Sequence, residues 1–162
     1  MWKSFILLLF ASTAYSESLS NNSYNGVAIG VAESEALKIL KSFESTKDSY
    51  ELGSTCYYLI SNDANNSDVH FMILDGVVSR IDVVGNSKVS TKEGIRIGST
   101  KDDVIKTYAS VKVTPHPYIA PEGEYLEVKV DDKLGLIFET ENDVVTRFRL
   151  GDQSIHFIEG CL

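Results

Sequence analysis

Two spacings alternate along the chain. Apolar residues stand three and four apart at Ala36, Leu37 and Leu40, and again at Val104, Ile105 and Tyr108, which predicts two short helices with one buried face each. Elsewhere the period drops to two. Runs at 55–61, 69–74 and 77–84, and later at 125–130, 134–140 and 144–150, carry the alternation expected of strands with one covered face. Asp75-Gly76 and Asn142-Asp143 sit between consecutive runs, where residues that tolerate positive φ close tight hairpins. Thr100 and Asp103 have the spacing of a capping box at the second helix start. The first helix begins near Ala32 instead, with Glu33 and Glu35 supplying negative charge to its N-terminal turn.

The pattern is self-similar. Gly26-Val27-Ala28-Ile29-Gly30, followed by Glu35-Ala36-Leu37-Lys38, returns 68 positions later as Gly94-Ile95-Arg96-Ile97-Gly98 and Asp103-Val104-Ile105-Lys106. Val77-Val78-Ser79-Arg80-Ile81 returns 67 positions later as Val144-Val145-Thr146-Arg147-Phe148. A fixed period of this kind predicts an α+β chain of two tandem repeats, each a short helix packed on a three- to four-stranded antiparallel sheet. The repeats run over 17–88 and 89–162 and are expected to pack together as one globular unit.

The first sixteen residues change the picture of where the chain works. Lys3 precedes an unbroken apolar run from Phe5 to Phe10, which ends in small and polar residues up to Ser16. That is the layout of a secretory signal peptide, too short to span a bilayer, and no other apolar stretch of the mature chain is long enough to do so. Cys56 and Cys161 are the two cysteines; in an exported chain an even count predicts a disulfide, here closing a loop of 105 positions. The net charge of −8 argues against nucleic acid and anionic lipid as partners, because both require a basic footprint.

Residues 94–104, Gly-Ile-Arg-Ile-Gly-Ser-Thr-Lys-Asp-Asp-Val, followed by a helix and antiparallel strands, resemble the small envelope domain of the BamE (SmpA/OmlA) outer-membrane assembly lipoproteins. Duplication of such a unit is similar to the beta-lactamase inhibitor protein type, whose two α/β repeats form a saddle that grips an enzyme. The half from Val89 to Cys161 also looks like an uncharacterised class of exported bacterial proteins. The resemblance implies an exported, non-catalytic module that binds another protein in the periplasm, at the envelope or outside the cell.

The chemistry-bearing residues fit that expectation. No HExxH, paired Cys/His set, phosphate loop or nucleophile elbow occurs, so neither a metal nor a cofactor is expected. Asp63 to Asp68 places oxygens at alternate positions but lacks the central Gly and closing Glu of a calcium loop. Strand alternation sends Leu59, Phe71, Ile81, Leu126, Phe138 and Phe148 to the helix-covered face. The opposite face then carries Tyr58, His70, Met72, Val78 and Arg80, and beyond them Tyr125, Glu139, Val145, Arg147 and Arg149. Tyr, Met and Arg together have the composition of an interface core, and this face either packs beneath another part of the chain or receives a partner. Tyr58, Met72, Arg80, Tyr118 and Arg147 are the binding residues this reading selects, with inhibition, immunity or an envelope-scaffold role as its forms. The alternative is a small secreted hydrolase or carbohydrate-binding domain with its site near His116 and Tyr118, in the stretch that holds all three prolines.

Overall fold

The computed structural model describes residues 18–49, 54–63 and 68–161. The expected signal peptide at 1–16 and part of the acidic turn, 64–67, lie outside them. The described chain begins with a two-stranded ribbon, β1 (Ser23–Tyr24) and β2 (Val27–Ala28), then α1 (Glu33–Ile39). Four strands follow: β3 (Phe43–Ser45), β4 (Cys56–Ser61), β5 (Val69–Leu74) and β6 (Val77–Val83). After α2 (Lys101–Thr107) come β7 (Lys112–Pro115), β8 (Gly123–Lys129), β9 (Gly135–Glu141) and β10 (Val144–Gly151).

These eight strands form one antiparallel sheet in the order β3-β4-β5-β6-β10-β9-β8-β7. The expectation of an α+β chain of two repeats, each a helix on its own small sheet, is therefore corrected to a mostly β fold. The reason is visible at the centre and in the helices. Val83, Asp82, Ile81 and Arg80 of β6 pair with Phe148, Arg149, Leu150 and Gly151 of β10, so the sheet continues without a break. Each helix has seven residues and buries one of them fully, Ala36 or Val104; at that length a helix is marginal without the surface it lies on.

Local chemistry places the turns. Asp75-Gly76 and Asn142-Asp143 all have positive φ, as a two-residue hairpin requires. Thr100 accepts a hydrogen bond from the Asp103 amide, and the Asp103 carboxylate accepts one from the Thr100 amide at 2.8 Å, completing the capping box. One face of the sheet forms the core with the helices and the N-terminal ribbon: Leu59, Phe71, Ile81, Leu126, Phe138 and Phe148 are buried there with Tyr24, Val27 and Leu19.

Val78 and Val145 depart from the strict alternation and join this core rather than the opposite face. Beta-bulges cause it. Met72 pairs with Arg80 and Ile73 with Val78, which leaves Ser79 as an extra residue; Arg147 pairs with Glu139 and Val145 with Thr140, which leaves Thr146 extra. One added residue shifts the phase of a period of two, so the valine before each bulge changes sides.

Candidate functional site

The second face of the sheet is partly roofed by the C-terminal segment. After Gly151 the chain makes a 3-10 turn, Gln153–His156, capped by the Asp152 side chain, which accepts from the Ser154 amide at 2.9 Å. The strap then crosses the sheet to Cys161, which is bonded to Cys56 at the start of β4. The bulge at Ser79 helps to dock it: the Ser79 carbonyl accepts from the Asp152 amide and the Ser154 hydroxyl, both at 3.1 Å. Glycines on the sheet permit the close approach. A side chain at Gly135 would run into Ile155 of the strap, and one at Gly151 into the Ser79 carbonyl.

Arg80 fastens the strap from below. Its Nη1 donates to the carbonyls of Ser154 (2.8 Å) and Phe157 (3.0 Å), its Nη2 to the Tyr58 hydroxyl (2.8 Å) and its Nε to Asp82 (3.0 Å). The guanidinium thus satisfies carbonyls that end the 3-10 turn, where a cation also suits the local dipole. Arg80 is only 3 % exposed and Met72 not at all. Of the expected binding residues, these two lie beneath the strap, and Tyr58 is half-buried at its edge.

Beyond the strap the face is only partly open: Ile137, Glu139 and Arg149 are buried and Arg147 is exposed. The register aligns His70, Asp82, Arg149 and Ile137 in one row across β5, β6, β10 and β9, and Arg147, Glu139 and Tyr125 in the next row across β10, β9 and β8. A groove of about 370 Å³ lies over His70, Asp82 and Arg149 of the first row, with Arg147 beside them and Ile158 and Glu159 of the strap as one wall. Glu139 is the shared acceptor. It receives Arg149 Nη1 at 2.8 Å, lies 3.5 Å from Arg147 Nε, and meets His116 Nε2 at 3.3 Å. Arg149 is 5 % exposed and its guanidinium lies 5.2 Å from the Tyr125 ring centroid, a cation–π arrangement. Its Nε and Nη2 are sealed from solvent and make no well-formed hydrogen bond among the described residues, although the guanidinium lies close enough to the Tyr125 hydroxyl to oppose the rise of its pKa. Arg147, by contrast, has a side chain 59 % exposed.

Burial acts on the acids and phenols here. Asp82 is pushed above the usual carboxylate range by desolvation, which outweighs the opposing pull of Arg80. Tyr125 is raised as well, first by burial and then by the charge of Glu139.

The proline loop places His116 and Tyr118 side by side, but in different surroundings. Tyr118 is 64 % exposed, while His116 is buried against the Tyr125 ring, with centroids 4.7 Å apart. His116 Nδ1 accepts from the Tyr118 amide at 3.2 Å, which fixes the tautomer with the proton on Nε2, facing Glu139. Both ring nitrogens are engaged, so this imidazole offers no free lone pair to a general-base reaction. Among the described residues no group of three or more His, Cys, Asp or Glu side chains could hold a metal ion. No helix among them is long and apolar enough to cross a membrane.

Sequence reasoning selected Tyr118 and Arg147, which the fold presents to solvent on either side of Tyr125 and Glu139. It did not select Arg149, Glu139 or Asp82 as a set. The i,i+2 spacing of Arg147 and Arg149 on one strand was the available signal, since a period of two puts both on one face.

No protein-family profile matches this chain, and no curated protein does. Two solved structures are similar to it at low identity. One is the uncharacterised protein YfeY from Escherichia coli, at 14 % identity and a TM-score of 0.54 over 83 % of this chain and 99 % of that one. The other is an extracellular protein containing an SCP domain from Bacillus anthracis, at 12 % identity and a TM-score of 0.47, matched over 94 % of this chain and half of that chain. The likeness to YfeY is one of fold. The Cys56–Cys161 bond suits an exported chain, because disulfides persist in oxidising compartments.

Proposed function

We propose that the protein is a non-catalytic binding module of the periplasm or the extracellular space, which holds another protein against the open part of its sheet face. The observation that carries this reading is the groove itself. It has a floor of paired strands, a wall pinned by Arg80 and a disulfide, and exposed Arg147 in its lining, with the exposed Tyr118 elsewhere, beside His116. Rigid walls lower the entropy lost on association, and Tyr and Arg are the side chains that most often anchor a protein interface. The engaged nitrogens of His116 speak against the hydrolase reading. The resemblance of residues 94–104 to envelope domains, and the signal-peptide layout of 1–16, point to the same compartment.

The test is site-directed photo-crosslinking with the mature protein, the reactive side chain placed in turn at Arg147, at Tyr118 and at Val77. Val77 is exposed at the β5–β6 hairpin and serves as the control. One envelope or secreted protein joined to positions 147 and 118 but not 77 supports the reading. Equal products at all three positions, or joining at 77 alone, sinks it.

A further inference from the structure

We infer that the groove takes a carboxylate-rich peptide segment, its acidic side chains seated on Arg147 and Arg149. The inference rests on the binding-module reading and specifies the partner's chemistry. Its first support is a count of donors against acceptors on the open face. Arg80, Arg147 and Arg149 are met there by Asp82, Glu139 and Glu159, and Asp82 is already bound to Arg80. Glu139 alone must serve Arg147, Arg149 and the Nε2 proton of His116. Two guanidiniums and one imidazole N–H thus share a single carboxylate, and Arg147 and Arg149 both line the groove.

The second support is independent of that count. Arg149 lines the groove, is almost fully buried, and has Nε and Nη2 without an acceptor among the described residues. An unpaired buried donor is destabilising, and one on a charged group more so, so an arriving carboxylate has something to relieve. Those atoms lie below the groove surface, so a carboxylate reaches them only when the Arg149 side chain turns toward the groove, and the guanidinium edge then receives both of its oxygens. The surrounding chain repeats the argument at long range. It carries a net charge of −8, so a site that concentrates arginine is where an acidic partner meets attraction in place of repulsion. The groove crosses the β6–β10 junction and is open along its length, which suits an extended segment better than a single small ion. Asp82 and, on the strap, Glu159 are the acidic side chains that line the groove.

The experiment is a nuclear magnetic resonance titration of the isotope-labelled mature protein at low ionic strength. The probes are capped hexaglutamate, capped hexalysine and inorganic phosphate. Hexaglutamate is expected to shift the Arg147 and Arg149 Nε–Hε signals and the amides of His70 and Asp82, and to be displaced by salt. Arg147→Gln, a change at an exposed position that leaves the buried pair intact, is expected to weaken binding about tenfold, as for loss of one charge-assisted contact. Arg149→Gln is expected to weaken it at least as much. Because that change can disturb Glu139, the Arg147 variant keeps the test decisive.

Shifts confined to other surfaces, or a Kd unchanged by Arg147→Gln, overturn the inference. So does phosphate binding at these arginines as tightly as hexaglutamate, which would make the site one for small anions. A partner crosslinked at 147 and 118 that hexaglutamate fails to displace also overturns it, while leaving the binding-module reading in place. Hexaglutamate binding in the groove with no protein partner crosslinked supports the site chemistry and counts against the protein-partner reading alone.

Discussion

Replacing Arg80 by methionine asks whether the strap is held by that guanidinium or by the disulfide and the Ser79 carbonyl without it. The substitution keeps most of the side-chain volume and removes the contacts to Ser154, Phe157, Tyr58 and Asp82, all between 2.8 and 3.0 Å. Asp82 loses the cation that lowers its pKa and keeps the burial that raises it. Removing one member of a buried ion pair costs about 3–5 kcal/mol at neutral pH, most of it the cost of the orphaned charge. The sign with pH follows. A carboxyl whose folded-state pKa is raised is destabilising in its ionised form, so the deficit of Arg80→Met should shrink as pH falls through the Asp82 titration and Asp82 takes up a proton. Urea unfolding followed by circular dichroism measures the loss, and adding Asp82→Asn should recover at least about 1 kcal/mol of it through the coupling of the pair. Hydrogen exchange locates the loss: the amides of Ile155, Phe157 and Gly160, which bond within the strap, should exchange faster. A loss below about 1 kcal/mol at neutral pH, or strap amides as protected as in the wild type, would refute the reasoning and leave the disulfide and the Ser79 carbonyl as the tethers.

Three further outcomes are expected. Cys161→Ser opens a loop of 105 residues and should lower stability by up to about 4 kcal/mol in the chain-entropy account, read as a lower unfolding midpoint that matches the reduced wild type. Thr100→Ala removes the α2 cap and should cost about 1 kcal/mol, whereas Ala32, which makes no side-chain cap at α1, should gain from Ala32→Ser; paired thermal melts compare the two. The Tyr57 phenol donates to Glu33 at 2.8 Å and is pushed up to about 12 by burial and by that carboxylate. Its contribution is fully present below the ordinary tyrosine pKa near 10 and is lost as pH rises through about 12, so Tyr57→Phe should flatten the alkaline limb of the stability curve.

Features written in neighbouring residues were the readable ones. A capping box needs Thr100 and Asp103, a tight hairpin needs Asp75-Gly76 or Asn142-Asp143, and a core face needs every second residue apolar; each signal is complete within a few positions. The bulges were not readable, because Ser79 and Thr146 look like ordinary strand residues and only the partner strand shows that one is surplus. The continuous sheet was not readable for a related reason. Whether β6 pairs with β10 or each half closes on itself is decided by contacts between residues such as Ile81 and Leu150, far apart in sequence. The strap had even less to announce it: Gly135, Gly151 and Gly160 read as isolated glycines until a second segment lies on them.

The same distinction separates two arginines that look alike in the sequence. Arg80 and Arg149 face each other's neighbours across the β6–β10 junction, both nearly sealed from water, and both have an acid within reach. Arg80 spends three of its nitrogens on four acceptors, two of them carbonyls that only the docked strap supplies, so its burial is accounted for by the fold. Arg149 places one nitrogen on Glu139 and leaves two idle, although an apolar side chain would fill that position without orphaned donors. A buried guanidinium with every donor used argues for architecture. One with donors left over, beside an exposed arginine and on the floor of a groove, argues for a group that arrives from outside, and the Tyr125 ring beneath it holds the cation in place until then.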